Sequence, residues 1–277
     1  MSARSRRTFQ ELVTLPEGAV PLAEAALLLA CEEYPQLELP PYLDLLDEIG
    51  EAVRPRLKPY ASPLQTIDTI NDVIFGTWGF HGNTEDYDDP RNSFFNDVLE
   101  RRVGIPITLS TVYLEIAQRV SFPLVGVGMP GHFLVKYGND RDELFVDAFN
   151  CGEILSRDDC ARRFAQMFGD TQPFSDRMLA RTTPRQILFR MLNNLKSIYL
   201  KARTFDKGLA MVDLMLMADP DAVEQYRDRG ILNVQLRRFG AATKDFERYV
   251  KDAPDAEDRT QIEDHLKELR RIRAMLN

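Results

Sequence analysis

The sequence predicts an α+β domain followed by an all-α array of helical repeats, and three observations carry that division. Between residues 104 and 152 a helical apolar pattern leads directly into β-rich stretches. In the C-terminal third, the run around Pro220 recurs around Pro254, a step of 34 residues. Between these parts the composition shifts, and glycine and proline interrupt the stretch from Gly169 to Pro184. The domains expected are 1–175 and 184–277.

The first sixty residues read as helical. Leu22, Ala26, Leu29 and Ala30 share one helical face. Tyr42, Leu45, Leu46 and Ile49 mark a second helix, opened by Pro40-Pro41 and closed by Pro55. A third, over Leu64–Phe75, carries Ile67, Ile70, Val73 and Ile74. Trp78–Asn83 reads as a loop. The acidic run Glu85–Asp89 lacks the Asp-x-Asp-x-Asp-Gly order of a calcium loop and reads as a solvated turn capping a helix over Asn92–Leu99.

The central stretch is a helix followed by a hairpin. Ile107, Leu109, Val112, Tyr113, Ile116 and Ala117 recur at helical spacing. Pro106 suits the first helical position, where the missing N–H has no partner to lose. His132–Tyr137 and Asp142–Phe149 are β-rich and flank the turn-forming set Gly138–Arg141. A turn at Asn139-Asp140 pairs Tyr137 with Asp142 and sets His132 opposite Asp147 on one face. An imidazole held by a carboxylate has its tautomer and orientation fixed, which is how a general base is built. A short helix near Asp158–Phe168 is expected next.

A helix start, a strand histidine and a next-strand aspartate, in that order, resemble the transglutaminase-like, papain-related superfamily. The matching segments are Gly104-Ile105-Pro106, Gly131-His132-Phe133-Leu134-Val135 and Val146-Asp147-Ala148-Phe149-Asn150. The resemblance implies a histidine at His132, an aspartate at Asp147 and a nucleophilic cysteine at the helix start, where the macrodipole favours a thiolate. Here that position is Pro106. More narrowly, Asn92–Ser110 with the Gly-His-Phe-Leu-Val segment is similar to the bacterial SirB-type family, which joins a transglutaminase-like domain to tetratricopeptide repeats. Without a nucleophile, the base has nothing to activate. Thr108 and Ser110, in the first turns of the helix, read as hydrogen-bonding residues. Cys151 is the alternative nucleophile; four extended residues would hold it ~13 Å from Asp147, so only a sharp reversal at Asn150–Gly152 brings it close.

The 34-residue step is the tetratricopeptide period. Ala218-Asp219-Pro220-Asp221-Ala222 recurs as Asp252-Ala253-Pro254-Asp255-Ala256. One unit shows Leu192, Leu195, Tyr199, Gly208 and Val212; the next shows Tyr226, Gly230, Ala242 and Phe246. Gly208 and Ala242 are small enough for paired helices to approach closely. Lys196 and Asn233 depart from the usual pattern. Residues 257–277 read as a charged capping helix. Such arrays bind peptides or proteins on a concave face, and the candidate contacts are Arg190, Asn193, Asn194, Ser197 and Arg227.

Composition narrows the class. The chain is 44% hydrophobic and 28% charged, with a net charge of −8 that argues against a phosphate-neutralising nucleic-acid binder. Basic Ser2–Arg7 precedes no apolar run, and Ala25–Cys31 is too short to span a bilayer, so neither a secretory signal nor membrane association is expected. Cys31, Cys151 and Cys160 are an odd, scattered set that suits a reducing cytoplasm. His81, His132 and His265 have no ligand spacing, so no metal and no cofactor are expected. The function expected is a non-catalytic protein-interaction or regulatory role on a degenerate transglutaminase-like fold. The alternative is a thiol hydrolase or acyltransferase using Cys151 with His132 and Asp147.

Overall fold

The computed structural model describes residues 1–138, 143–169 and 173–276. The chain divides into two compact units, Met1–Met191 and Leu192–Asn277.

The first unit begins with α1 (Ala3–Val13), capped by the Ser2 hydroxyl on the Ser5 N–H. Helix α2 (Leu22–Ala30) is apolar all round except Glu24 and is buried along nearly its whole length, as a core helix must be. Pro21 offers its first turn no side-chain cap. The buried Glu115 carboxylate supplies one from a distant helix, accepting from the Ala23 N–H at 3.1 Å. Helices α3 (Pro40–Val53) and α4 (Pro63–Asn71) follow, the latter opened by a Ser62/Gln65 capping box. Residues Asp72–Thr77 continue α4 as one widened turn, closed by the Trp78 N–H on the Val73 carbonyl.

The stretch Trp78–Asn83, expected as a loop, contains β1 (His81–Gly82), paired parallel to β2 (Val103–Gly104). The acidic run ends in Asp89, whose carboxylate caps the short turn Pro90–Asn92; α5 (Phe95–Arg101) starts a few residues later than expected. Helix α6 (Pro106–Arg119) begins with its proline at the first position.

A five-stranded sheet follows α6: β3 (Leu124–Val127), β4 (Leu134–Tyr137), β5 (Leu144–Asp147), β6 (Glu153–Leu155) and β7 (Arg181–Thr182). The order is β6-β5-β4-β3-β7, and every described pairing in it is antiparallel. Helix α7 (Arg157–Phe168) brings Cys160 and Phe164 onto Val127, Leu134, Phe145 and Leu155 to form the core on one face. Val135 and Val146, fully buried, alternate to the other face, and α6 packs against β3 and β4.

The hairpin register differs from the expected one. Tyr137 pairs with Leu144, and Val135 with Val146, a shift of two residues along β5. The connection is longer than a tight turn and opens at Gly138, at φ +87°. The turn expected at Asn139-Asp140 lies outside the described residues. A slip of one residue would have reversed every side chain; a slip of two preserves the faces. The ladder ends at Val135 and Val146, short of His132; Phe149 lies beyond it in the turn that follows β5, and its ring meets the His132 ring edge-on at 6.3 Å.

Helix α8 (Pro184–Lys201) contains the Met191/Leu192 division. The second unit takes its remaining turns and continues with α9 (Phe205–Ala218), α10 (Val223–Gln235), α11 (Phe239–Asp252) and α12 (Arg259–Leu276). Its turns repeat bond for bond. The Thr204 N–H donates to the Tyr199 carbonyl at 2.9 Å, and 34 residues later the Arg238 N–H donates to Asn233 at 2.8 Å. Arg203 and Arg237, the left-handed residues of those turns, both have φ +57°. The close helix approach is at Gly230, where a Cβ would meet the buried Phe246 ring at 2.5 Å (Cδ1). At Gly208 the nearest atom would be 3.5 Å away, an ordinary contact. Helix α12 buries Ile262, Leu266 and Leu269 against Ala242, Phe246 and Tyr249.

Candidate functional site

His132 and Asp147 meet as a pair. The imidazole Nε2 lies 2.8 Å from Asp147 Oδ2, with the carboxylate fully buried and the imidazole side chain 13% exposed. The contact survives the register shift because a slip of two residues keeps both side chains on one face, where diagonal neighbours still reach each other; Gly131, at φ +73°, turns the chain just before His132. On the other strand the chain leaves extended geometry just after Asp147 and enters the tight turn Ala148–Asn150.

Asp147 is the more heavily engaged partner. Its Oδ1 accepts the backbone N–H groups of Phe149 and Asn150, at 3.1 and 3.2 Å. Its Oδ2 accepts the Asn150 amide at 2.8 Å and an ion pair from Arg163 of α7. Burial alone would raise this carboxyl. The hydrogen bond and charge of His132, then Asn150 and Arg163, outweigh that, so it is held below the ordinary carboxylate range. An imidazole held in this way has a fixed orientation, which is the arrangement that a general base requires.

Pro106 is buried at the first position of α6. The hydroxyls one turn on are committed elsewhere. Thr108 Oγ1 donates to the Asn92 carbonyl at 2.8 Å and accepts the Ile105 N–H at 3.1 Å. Ser110 Oγ, 3.4 Å from the Phe133 carbonyl, is fully buried. Cys151 is exposed and left-handed, at φ +52°. The reversal it requires is present, since the Gly152 N–H returns to the Asp147 carbonyl at 2.9 Å and β6 folds back onto β5. Its sulfur nevertheless makes no hydrogen bond to the imidazole, whose Nε2 is on Asp147. Cys31 and Cys160 are buried, and burial pushes the Cys160 thiol up to about 11.

Arg190, expected on the repeat face, belongs to the first unit. Its Nη2 donates to the carbonyls of Met129 and His132, at 3.0 and 2.7 Å, and its guanidinium lies over the Phe133 ring at 5.5 Å. It therefore clamps the turn that carries His132. Sequence spacing contains no sign of this contact, because the partners are backbone atoms some sixty residues away. Arg163 was missed for a related reason: it reads as one charge among several on an amphipathic helix.

In the second unit Asn193 is exposed, Asn194 and Ser197 are half-buried, and Ser197 Oγ donates to the Asn193 carbonyl at 2.9 Å. Arg227 is tied to Asp228 and Asp258, both at 3.0 Å. The two departures from the repeat pattern are explained by polar partners. Lys196 is buried with its Nζ 2.7 Å from Asp228 and 3.1 Å from Gln225 Oε1. Asn233 donates to Asp245 at 3.0 Å, and Asp245 also takes the Arg229 guanidinium. A cleft of about 520 Å³ lies away from the dyad, around the C-terminal half of α6, and is lined in part by Pro21, Glu115, Arg119, Phe122 and Thr182. Among the described residues no group of three His, Cys, Asp or Glu side chains is placed to hold a metal ion, and no helix is long and apolar enough to cross a membrane.

Comparison with known proteins agrees with this architecture. The model of the transglutaminase-like superfamily matches residues 41–193, and a tetratricopeptide-repeat model matches 195–267. A UPF0162 protein of Xylella fastidiosa is 34% identical over 265 residues, covering 94% of each chain. A UPF0162 protein of Vibrio cholerae is 30% identical over 184 residues, 66% of this chain and 68% of that one. Human F-box only protein 21 is 30% identical over 172 residues, 58% of this chain but only 26% of that longer protein. A crystal structure of menin aligns with a TM-score of 0.43 and 11% identity over 90% of this chain and 70% of that one, too distant a likeness to support a conclusion. The chain belongs to the UPF0162, or SirB-type, family, a transglutaminase-like domain followed by tetratricopeptide repeats.

Proposed function

We propose that this protein is a non-catalytic interaction protein in which the repeats hold a protein or peptide partner and the transglutaminase-like domain has lost its nucleophile. The observation that carries the reading is the buried Pro106 at the head of α6, in a chain that keeps the His132–Asp147 pair. A proline has no side-chain group to attack a carbonyl, and the nearby hydroxyls of Thr108 and Ser110 are buried. The pair then acts as a strut. The partner-binding face comprises Asn193, Asn194, Ser197 and Arg227, and nucleic acid and membranes are not its targets. Two buried thiols and one exposed thiol fit a reducing cytoplasm.

One observation favours a second reading, a thiol hydrolase or acyltransferase. Cys151 is exposed on a turn that folds back to the Asp147 carbonyl, close in sequence to the acid. The two readings separate in a capture experiment. Full-length protein on a resin is challenged with bacterial lysate, alongside Asn193→Arg/Ser197→Arg, His132→Ala and Cys151→Ser. The scaffold reading predicts a non-covalent partner retained by the last two variants and lost by the first. A covalent, thiol-cleavable adduct that disappears in Cys151→Ser and in His132→Ala establishes the enzyme instead.

A further inference from the structure

One edge of the five-stranded sheet is only half covered. Strand β7 pairs with Gly126 and Val127 and stops there, because the next residue, Thr183, turns away to cap α8. The Thr183 N–H donates to Gln186 Oε1 at 2.9 Å, its hydroxyl accepts the Gln186 N–H at 3.3 Å, and Pro184 has no N–H to continue a ladder. Leu124 and Val125, the other half of β3, therefore have β4 on one side and, among the described residues, no strand on the other. Burial follows the same division: Gly126 and Val127 are buried, while Leu124 and Val125 are half-buried.

Backbone groups alternate in direction along a strand. The Gly128 N–H donates to Thr182 Oγ1 at 2.8 Å, so the even-numbered residues of this stretch turn their N–H and C=O groups toward β7. Leu124 presents the same two groups just beyond the point where β7 ends. Leu124 also lines the cleft of about 520 Å³, together with Leu22, Leu114 and Ile187. Leu22 and Ile187 are buried and Leu114 is half-buried, which makes this wall apolar. The walls are held in place: Glu17 accepts the Arg185 N–H at 3.2 Å, and Glu115 accepts the Ala23 N–H at 3.1 Å.

We propose that this cleft takes an extended peptide segment of a partner protein, which adds beside Leu124 as a strand in line with β7 and rests an apolar side chain on Leu22, Leu114 and Ile187. An N–H and a C=O on one strand edge are matched together by another extended backbone. A helix satisfies its own backbone groups, and an apolar small molecule leaves both unpaired. The open edge is short. The Phe122 N–H is already on the Ala117 carbonyl at 2.8 Å and Pro123 has none, so a segment of three residues, about 10 Å long, fills it. An edge so short and flanked by proline is a poor template for pairing with a second sheet, which favours a peptide over another copy of this chain. The site lies wholly within the first unit and stands whether or not the repeats hold a partner.

The probe is a phage-displayed library of random heptapeptides, selected on the immobilised full-length chain and counter-selected on Gly18→Trp. Gly18 is exposed at the cleft and a Cβ there meets nothing within 4 Å, so an indole at this position occupies the cleft without a clash. Peptides are expected that bind wild type at least about tenfold more tightly than Gly18→Trp and bind Asn193→Arg/Ser197→Arg as they bind wild type. A peptide held by the repeats shows the reverse pattern. Synthetic copies of the selected peptides should slow hydrogen exchange of the Leu124 amide at least about tenfold. N-methylation should weaken binding about fivefold at peptide residues whose N–H faces β3 and little at the residues between them. Selection of no peptide that Gly18→Trp rejects, unchanged exchange at Leu124, or equal tolerance of N-methylation at every position overturns the proposal. Protection of the Leu124 amide in a peptide-free dimer assigns the edge to a second copy and overturns it as well.

Discussion

Replacing Asp147 by alanine removes an acceptor that organises the whole end of β5. The carboxylate is fully buried and holds His132, Asn150, Arg163 and two backbone N–H groups. Breaking a buried charged pair by deleting one partner typically destabilises by about 3–5 kcal/mol. Arg163 keeps Glu153 and is 25% exposed, so it is not stranded, which places the expected loss near the lower end, about 3 kcal/mol. Asp147→Asn keeps an oxygen for the backbone donors but loses the charge and should lose roughly half as much. The sole tryptophan, Trp78, lies in the first unit, so urea unfolding followed by its fluorescence reads that unit. The pH dependence has a definite sign. A carboxyl held below its ordinary value contributes fully above the unfolded pKa of about 4 and loses that contribution as pH falls through the folded value. The gap between wild type and Asp147→Ala should therefore be widest near neutrality and narrow in acid. A variant within about 1 kcal/mol of wild type at pH 7, or a gap that widens as pH falls, refutes the reasoning.

Three further outcomes follow from the packing. Gly230→Ala forces a methyl into the Phe246 ring; overpacking of about 1–3 kcal/mol outweighs the gain in helix propensity, so thermal unfolding of the repeats should occur at lower temperature. Gly208→Ala meets only an ordinary contact and should stabilise by about 0.5–1 kcal/mol in the same assay. Of the three thiols, native protein should expose one to an aromatic disulfide reagent, lost in Cys151→Ser, with Cys31 and Cys160 reacting only on unfolding.

Much of this was legible in local patterns. Pro106 at the head of α6, the apolar period of that helix and the 34-residue step each depend on spacing within a few turns, and the geometry follows them. The His132–Asp147 contact was legible although the hairpin connection is longer than its turn residues suggest, because a two-residue slip keeps both side chains on their face. What escaped the sequence depends on chain geometry far apart in residue number. Helical spacing puts Arg190 on the repeat face because it shows which way a side chain points, not which carbonyl it finds; its partners are Met129 and His132. Lys196 and Asn233 looked like defects in the repeat until their acceptors, Asp228 and Asp245, were in view. The two-residue strand at His81 carries no periodicity at all, and its pairing with Val103 is purely tertiary.

The absence of any partnership between imidazole and sulfur is what separates a scaffold from an enzyme in this protein. The most direct measurement is the rate at which iodoacetamide alkylates Cys151 at neutral pH in the full-length chain, with and without His132→Ala. Rates agreeing within about twofold are predicted, because Nε2 of His132 is on Asp147 and no bond joins the ring to the thiol. A wild-type rate tenfold or more above that of His132→Ala would mean that the histidine activates this cysteine, and the protein would have to be read as an enzyme.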